Sequence, residues 1–150
     1  MSSRLPDTTA RAGPENLAIL LREPFRAMEA LLAARLAERG HDAVRPPHGA
    51  VLQYLDDAGT RVSVLAERAA VTKQSMAELV AHLEAHGYVE RLPDPADRRA
   101  KLVRATPRGR DVFAIARETV AEVEARVTER LGEEDMRRLR ELLAAVGAAL

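Results

Sequence analysis

Three stretches of the sequence carry side chains whose types and spacing suit a defined chemistry. The first is Thr72-Lys73-Gln74-Ser75, a polar opening followed by Met76, Leu79, Val80 and Leu83 at steps of three, one and three. That spacing predicts an amphipathic helix with Thr72 as its N-cap, so Thr72, Lys73, Gln74, Ser75 and then Ala77 and Glu78 face away from the core. A glutamine amide on such a face can pair bidentately with adenine N6 and N7, whereas Lys73, Thr72 and Ser75 suit phosphate oxygens. The second stretch spans residues 91–110, where Arg91, Arg98, Arg99, Lys101, Arg104, Arg108 and Arg110 stand against only Asp94 and Asp97, a local charge of +5. A concentrated positive field of this kind attracts phosphate backbones, and Arg91 and Lys101 are read as phosphate contacts.

The third stretch is Glu78, His82 and His86, at i, i+4 and i+8 on one helical face. It invites a metal ion, yet zinc needs three or four convergent ligands, and the chain has no cysteine to complete the set. His86 beside Gly87 is explained equally well as a partner for the helix C-terminal dipole. No metal and no cofactor are therefore expected. Enzyme chemistry lacks its usual parts: there is no Gly-rich phosphate loop, no nucleophile elbow and no thiol.

These side chains must be positioned by the elements around them. The chain has 150 residues, 23 basic against 23 acidic, with 47% apolar and 31% charged side chains, which is one globular unit with a neutral overall balance. Few aromatics and abundant Ala, Leu, Arg and Glu favour helix, and the absence of cysteine fits a reducing cytoplasm. Met1 to Gly13 has neither period nor the apolar run of a secretory signal; it reads as a mobile arm of a chain that starts near Met1.

Residues 14–45 read as a helix ended by Gly40 and kinked or split near residue 23 by Pro24. Pro46 and Pro47 open a second helix with Val51, Leu52 and Leu55 inward, and Asp57 to Gly59 closes it. Thr60 to Val62 suggests a short strand, and Ser63 a cap for a third helix with Val64, Leu65 and Ala69 inward. The helix starting after Thr72 follows across a tight turn and ends at Gly87. Tyr88 to Leu92 and Lys101 to Ala105 alternate as two strands, with PDPADRR as a long tip between them. Thr106-Pro107 starts a long helix bearing a seam of Phe113, Ala116, Val120, Val123 and Val127. Glu133 starts the last helix, with Met136, Leu139, Leu143, Val146 and Leu150 in a second seam, and these seams want a partner.

Helix, tight turn, helix and hairpin is the order of a winged helix-turn-helix, so the predicted class is mostly α (α+β) with a small β-hairpin wing. Val64-Leu-Ala-Glu-Arg68, Val71-Thr-Lys-Gln-Ser75, Leu83-Glu-Ala-His-Gly-Tyr-Val-Glu-Arg91, Asp94-Pro-Ala-Asp97-Arg98-Arg99 and Leu102-Val-Arg-Ala-Thr-Pro-Arg-Gly109 together resemble the MarR family of bacterial transcriptional regulators. Ala105 departs from the leucine usual there, and Glu78 stands where many relatives carry a basic or amide side chain. The resemblance implies a cytoplasmic, homodimeric DNA-binding regulator, a repressor on a pseudo-palindromic operator. Residues 46–106 would then be the DNA-binding part, with 14–45 and 107–150 as dimerisation helices. It also implies that Arg98 or Arg99 enters the minor groove, braced by Asp94 or Asp97. A small aromatic or phenolic effector would bind between helices one, two and five, with Phe25, Met28, His48, Leu52 and Phe113 as candidates. The competing reading is a winged-helix module that binds protein rather than DNA; it lacks support from exposed aromatics on the polar helix start.

Overall fold

The computed structural model describes residues 16–150, so the expected arm at 1–13 lies outside it. α1 (Leu17–Glu38) is capped by Asn16, whose side chain accepts from the Ile19 N–H at 3.0 Å. Pro24 sits inside this helix without splitting it. The missing N–H removes one bond, but the helix runs two turns on its N-terminal side and four on its C-terminal side, and Leu32 and Leu36 anchor it to the core. Arg35 and Arg39 tie the same end to Glu122 (3.0 Å) and Glu118 (2.9 Å) on the long helix described below.

The second helix is shorter than its pattern. Pro46–His48 is a single 3-10 turn, and α2 covers only Gly49–Leu52. Leu55 falls beyond it, because a loop network takes over: the Asp56 N–H donates to Thr60 Oγ1 (2.9 Å), and Arg68 donates to Tyr54 O (2.9 Å). The expected strand at Thr60 shrinks to one antiparallel bridge with Val103. α3 (Val62–Arg68) then starts at once, with Arg61 rather than Ser63 at the N-cap, and buries Leu65 and Ala66 while Val64 and Ala69 are only half-buried. The bridge dictates where this helix begins, overriding the better capping residue two positions on.

Ala70 adopts φ +53° in the turn before α4 (Lys73–Ala85), which Thr72 caps by accepting from the Ser75 N–H at 3.1 Å. Met76, Val80 and Leu83 are fully buried, and Gly87 at φ +77° ends the helix. The hairpin pairs β1 (Val89–Asp94) with β2 (Asp97–Ala105), Val89 opposite Ala105 and Leu92 opposite Leu102. Its strands run almost to the end, so the long tip expected from PDPADRR is a turn at Pro95-Ala96 with an irregularity at Pro93/Asp94. Asp94 Oδ1 accepting from the Ala96 N–H (2.8 Å) closes the turn.

α5 (Pro107–Leu131) begins at the Thr106 cap. Gly109 is required there, since a Cβ would clash with the Tyr88 carbonyl oxygen. The face of α5 buried within the chain is Gly109, Val112, Ile115 and Thr119, one position out of phase with the expected seam, and Val120 of that seam is 52% exposed. α6 (Glu133–Ala149) buries Met136 alone, leaving Leu139, Leu142 and Leu143 exposed. The core centres on Val51, Leu65, Met76, Val80, Leu83, Tyr88 and Val103, inside the winged half.

Candidate nucleic-acid interface

α3, the Ala70 turn, α4 and the hairpin set two groups of polar side chains on the surface. At the start of α4, Lys73, Gln74 and Ser75 are exposed and Ala77 is half-buried. Thr72 Oγ1 donates to Ser75 Oγ (2.9 Å), so those two hydroxyls form a local cap. Gln74 Nε2 donates to Glu78 Oε1 at 3.4 Å, which leaves its second N–H and its carbonyl oxygen for a base edge.

Across residues 91–110 the structure divides the basic residues into two classes. Arg91 pairs with Glu84 (3.0 Å) and Arg104 with Glu90 (2.8 Å), while Arg108 donates to Tyr88 Oη (3.1 Å) and Arg110 to Ala105 O (3.1 Å). Arg98, Arg99 and Lys101 are exposed, and their charged groups have no hydrogen-bond or ion-pair partner among the described residues. Only the second class is free to meet phosphate without first breaking a protein contact; Arg91, expected as a phosphate contact, belongs to the first.

Asp94 is 6% exposed and bonds Arg61 Nε at 2.6 Å. The Ala96 N–H and the Arg61 guanidinium hold its carboxyl below the usual carboxylate range. Asp97 accepts from the Arg99 backbone N–H (3.0 Å) and lies 3.8 Å from Arg61. The acids of the wing are thus engaged as braces, but on Arg61 and the turn backbone rather than on the Arg98 or Arg99 guanidinium. The tight turn folds Asp94 back toward α3.

Behind α4 lies a column of three imidazoles, His48 on His82 (ring centroids 4.4 Å apart) and His82 on His86 (4.3 Å). His82 Nε2 donates to Ala43 O (2.9 Å), His86 Nδ1 to His82 O (2.8 Å), and the Arg45 N–H donates to His48 Nδ1 (2.9 Å). Burial, with His82, Arg45 and His86 adding positive charge, lowers the His48 pKa to about 4. Stacked rings direct their lone pairs sideways rather than at a common point. No group of three or more His, Cys, Asp or Glu among the described residues could hold a metal ion, and Glu78 faces Gln74.

Of the residues considered for an effector, Met28 lines a cleft of ≈ 850 Å³ between α1 and the C-terminal half of α5, with Pro24, Leu31, Val123 and Val127. The other four do not line it: Phe25 is 56% exposed, His48 and Leu52 are buried against α4 and the core, and Phe113 packs half-buried on the core. Sequence reasoning missed Arg61, whose only signal is a residue type unsuited to an N-cap; it named His48 as an effector candidate but not its stacking on His82, with which it has no spacing relation.

A model of the MarR family matches residues 44–100, the segment that holds α2, α3, α4 and most of the hairpin. The chain is 35% identical over 75 residues to the transcriptional regulator HosA of Escherichia coli O111:H-, covering 50% of this chain and 56% of that protein. The chain thus spans little more than half the length of this curated relative. Solved structures extend the likeness: the transcriptional repressor CouR bound to a 23-mer DNA duplex is 26% identical, with a TM-score of 0.68 over 89% of this chain and 93% of that one. Over residues 44–100 the chain is similar to the MarR family. CouR from Rhodococcus jostii RHA1 bound to p-coumaroyl-CoA is 25% identical, with a TM-score of 0.67 over 88% of this chain and 92% of that one. These MarR-family relatives are transcriptional regulators, not enzymes. Within the family frame α4 is the helix that follows the tight turn and the hairpin is the wing. No helix among the described residues is long and apolar enough to cross a membrane.

Proposed function

We propose that this protein is a sequence-specific DNA-binding transcriptional regulator, acting in the cytoplasm as a homodimeric repressor on a pseudo-palindromic operator. The observation that carries this reading is the set of unpaired cations Arg98, Arg99 and Lys101 on the wing, taken together with the exposed start of α4 at Lys73 and Gln74. In a fold whose relative CouR is solved on duplex DNA, that set suits α4 in the major groove and the wing along the minor groove. Gln74 is the base reader; Thr72, Lys73, Ser75 and Lys101 hold phosphates.

Dimerisation is supported by the apolar side chains left on the terminal helices: Leu17, Leu20, Leu21 and Phe25 on α1 and Leu139, Leu142 and Leu143 on α6. Two-fold symmetry would set two α4 helices into successive major grooves about 34 Å apart. For an effector, the p-coumaroyl-CoA bound by CouR favours a small aromatic acid or its thioester, which releases the operator.

Titration of the labelled DNA upstream of the protein's own coding sequence, against a random duplex of equal length, tests the reading. Tight binding of the upstream DNA, with affinity falling steeply in salt, is expected. Equal weak binding to both, insensitive to salt, favours the protein-binding module instead.

A further inference from the structure

Arg61 occupies the N-cap of α3, where a side-chain oxygen would be favourable and a cation opposes the helix dipole, and it makes no capping bond. Its side chain instead reaches across to the wing. Nε meets Asp94 Oδ2 at 2.6 Å, and Nη2 lies 3.8 Å from Asp97 Oδ2. Among the described residues, no other side chain from outside the hairpin bonds to residues 93–101. The backbone bridge between Thr60 and Val103, one residue before Arg61, pins the C-terminal part of β2 to the same segment. From Val103 to the turn is about 20 Å of strand at about 3.3 Å per residue, and a free two-stranded ribbon of that length is marginal in water. The segment before α3 therefore grips the wing at two points, the second of them being the arginine.

We propose that Arg61 is a positioning residue for DNA contact: by clasping Asp94 it fixes the wing tip relative to α3, so that Arg98 and Arg99 are presented to the minor groove already ordered. The inference rests on the DNA-binding reading above. Arg61 itself need not touch DNA. A clasped tip loses less conformational freedom on binding than a loose one, which raises affinity without adding a contact. A guanidinium held in place also favours the narrow minor groove of A-tracts, where the negative potential is strongest.

The sign of two charge changes separates positioning from plain electrostatics. Asp94→Asn removes a negative charge and keeps the acceptor for the Ala96 N–H; Arg61→Gln removes a positive one. On charge alone the first should bind DNA more tightly and the second more weakly. The clasp predicts that both weaken binding to a labelled A-tract duplex by about three- to tenfold, and that the double variant is no worse than either single one. It also predicts loss of the preference for the A-tract over a G·C-rich duplex, and faster hydrogen exchange at the Ala96 and Arg99 amides of the DNA-free protein, at unchanged helicity.

Asp94→Asn binding as tightly as wild type or more tightly, with unchanged amide exchange at the tip, overturns the clasp while leaving DNA binding intact. Failure of the wild-type chain to bind either duplex overturns the DNA-binding reading, and this inference with it.

Discussion

The winged half of the molecule and its helical ends solve the burial problem differently. In residues 44–106 many of the apolar side chains that periodicity marks as inward, Val51, Leu52, Leu65, Met76, Val80 and Leu83 among them, are covered by the chain itself. On α1 and α6, leucines at equally regular spacing stay in solvent, and Leu142 is 55% exposed. Both regions pair arginines with carboxylates, Arg35, Arg39, Arg137 and Arg140 on the helical ends and Arg61, Arg68, Arg91 and Arg104 in the winged half, but the wing gathers three unpaired cations, Arg98, Arg99 and Lys101, on one hairpin. One region is complete in its core and open in its charge, as suits a polyanionic partner; the other is open in its apolar surface, as suits a second protein chain.

A truncation in each region puts that contrast under the largest strain. Leu83→Ala should reduce folding stability by about 2–5 kcal/mol, because it empties a fully enclosed site. Leu143→Ala should leave the winged half's melting nearly unchanged and raise the dissociation constant of the proposed homodimer instead. Denaturation and analytical ultracentrifugation of both variants give the answer; equal losses of fold stability would erase the distinction.

Next in size is a pH effect confined to the winged half. Unfolded His48 takes a proton near its ordinary pKa of 6.5, whereas in the folded column, facing His82, His86 and Arg45, it does so only near 4. Between those values the unfolded state binds more protons, so stability falls as pH drops from about 6.5 toward 4, by up to about 3 kcal/mol in all. His48→Asn keeps an acceptor for the Arg45 N–H and should flatten this dependence. Melting curves at several pH values that coincide for the two proteins would count against the column.

Gln74→Ala should cost roughly 1–3 kcal/mol on the operator and little on random DNA, relaxing preference at one base pair per half-site. An unchanged ratio of specific to random affinity would remove Gln74 from base readout. The smallest expected effect belongs to the turn before α4: Ala70 at φ +53° carries a left-handed strain that glycine lacks, so Ala70→Gly should raise stability by about 0.5–1 kcal/mol despite the greater freedom of the unfolded chain. A lower melting temperature for that variant would show the turn to be unstrained.

What was legible in the sequence follows from how local each signal is. Thr72, Gly87 and the pair Thr106-Pro107 mark helix ends through bonds made within a turn, and the structure places the ends of α4 and the start of α5 there. Pro24 suggested a break because one proline outweighs its neighbours locally, but not in a long helix anchored by Leu32 and Leu36. Ser63 is the better cap on local grounds, and the Thr60–Val103 bridge, which joins residues far apart in the chain, decided otherwise. The same holds at the wing, where a Pro- and Asp-rich segment reads as loop until Asp94 turns inward to Arg61. The site was legible as residue types and not as partners: spacing shows seven basic side chains in residues 91–110, while only geometry separates the four that are engaged from the three that are free.

The most direct test of the central claim, that the unpaired wing cations meet DNA, is the salt dependence of binding to random duplex for the wild type and for Arg98→Ala/Arg99→Ala. Each phosphate contact removed should lower the slope of log K against log salt by about 0.9, so two arginines on each of two wings should flatten it clearly, with weaker binding at every salt concentration and native helicity. The same affinity and the same slope in a fully folded double variant would contradict the account, since the basic wing would then be no more than solvated surface.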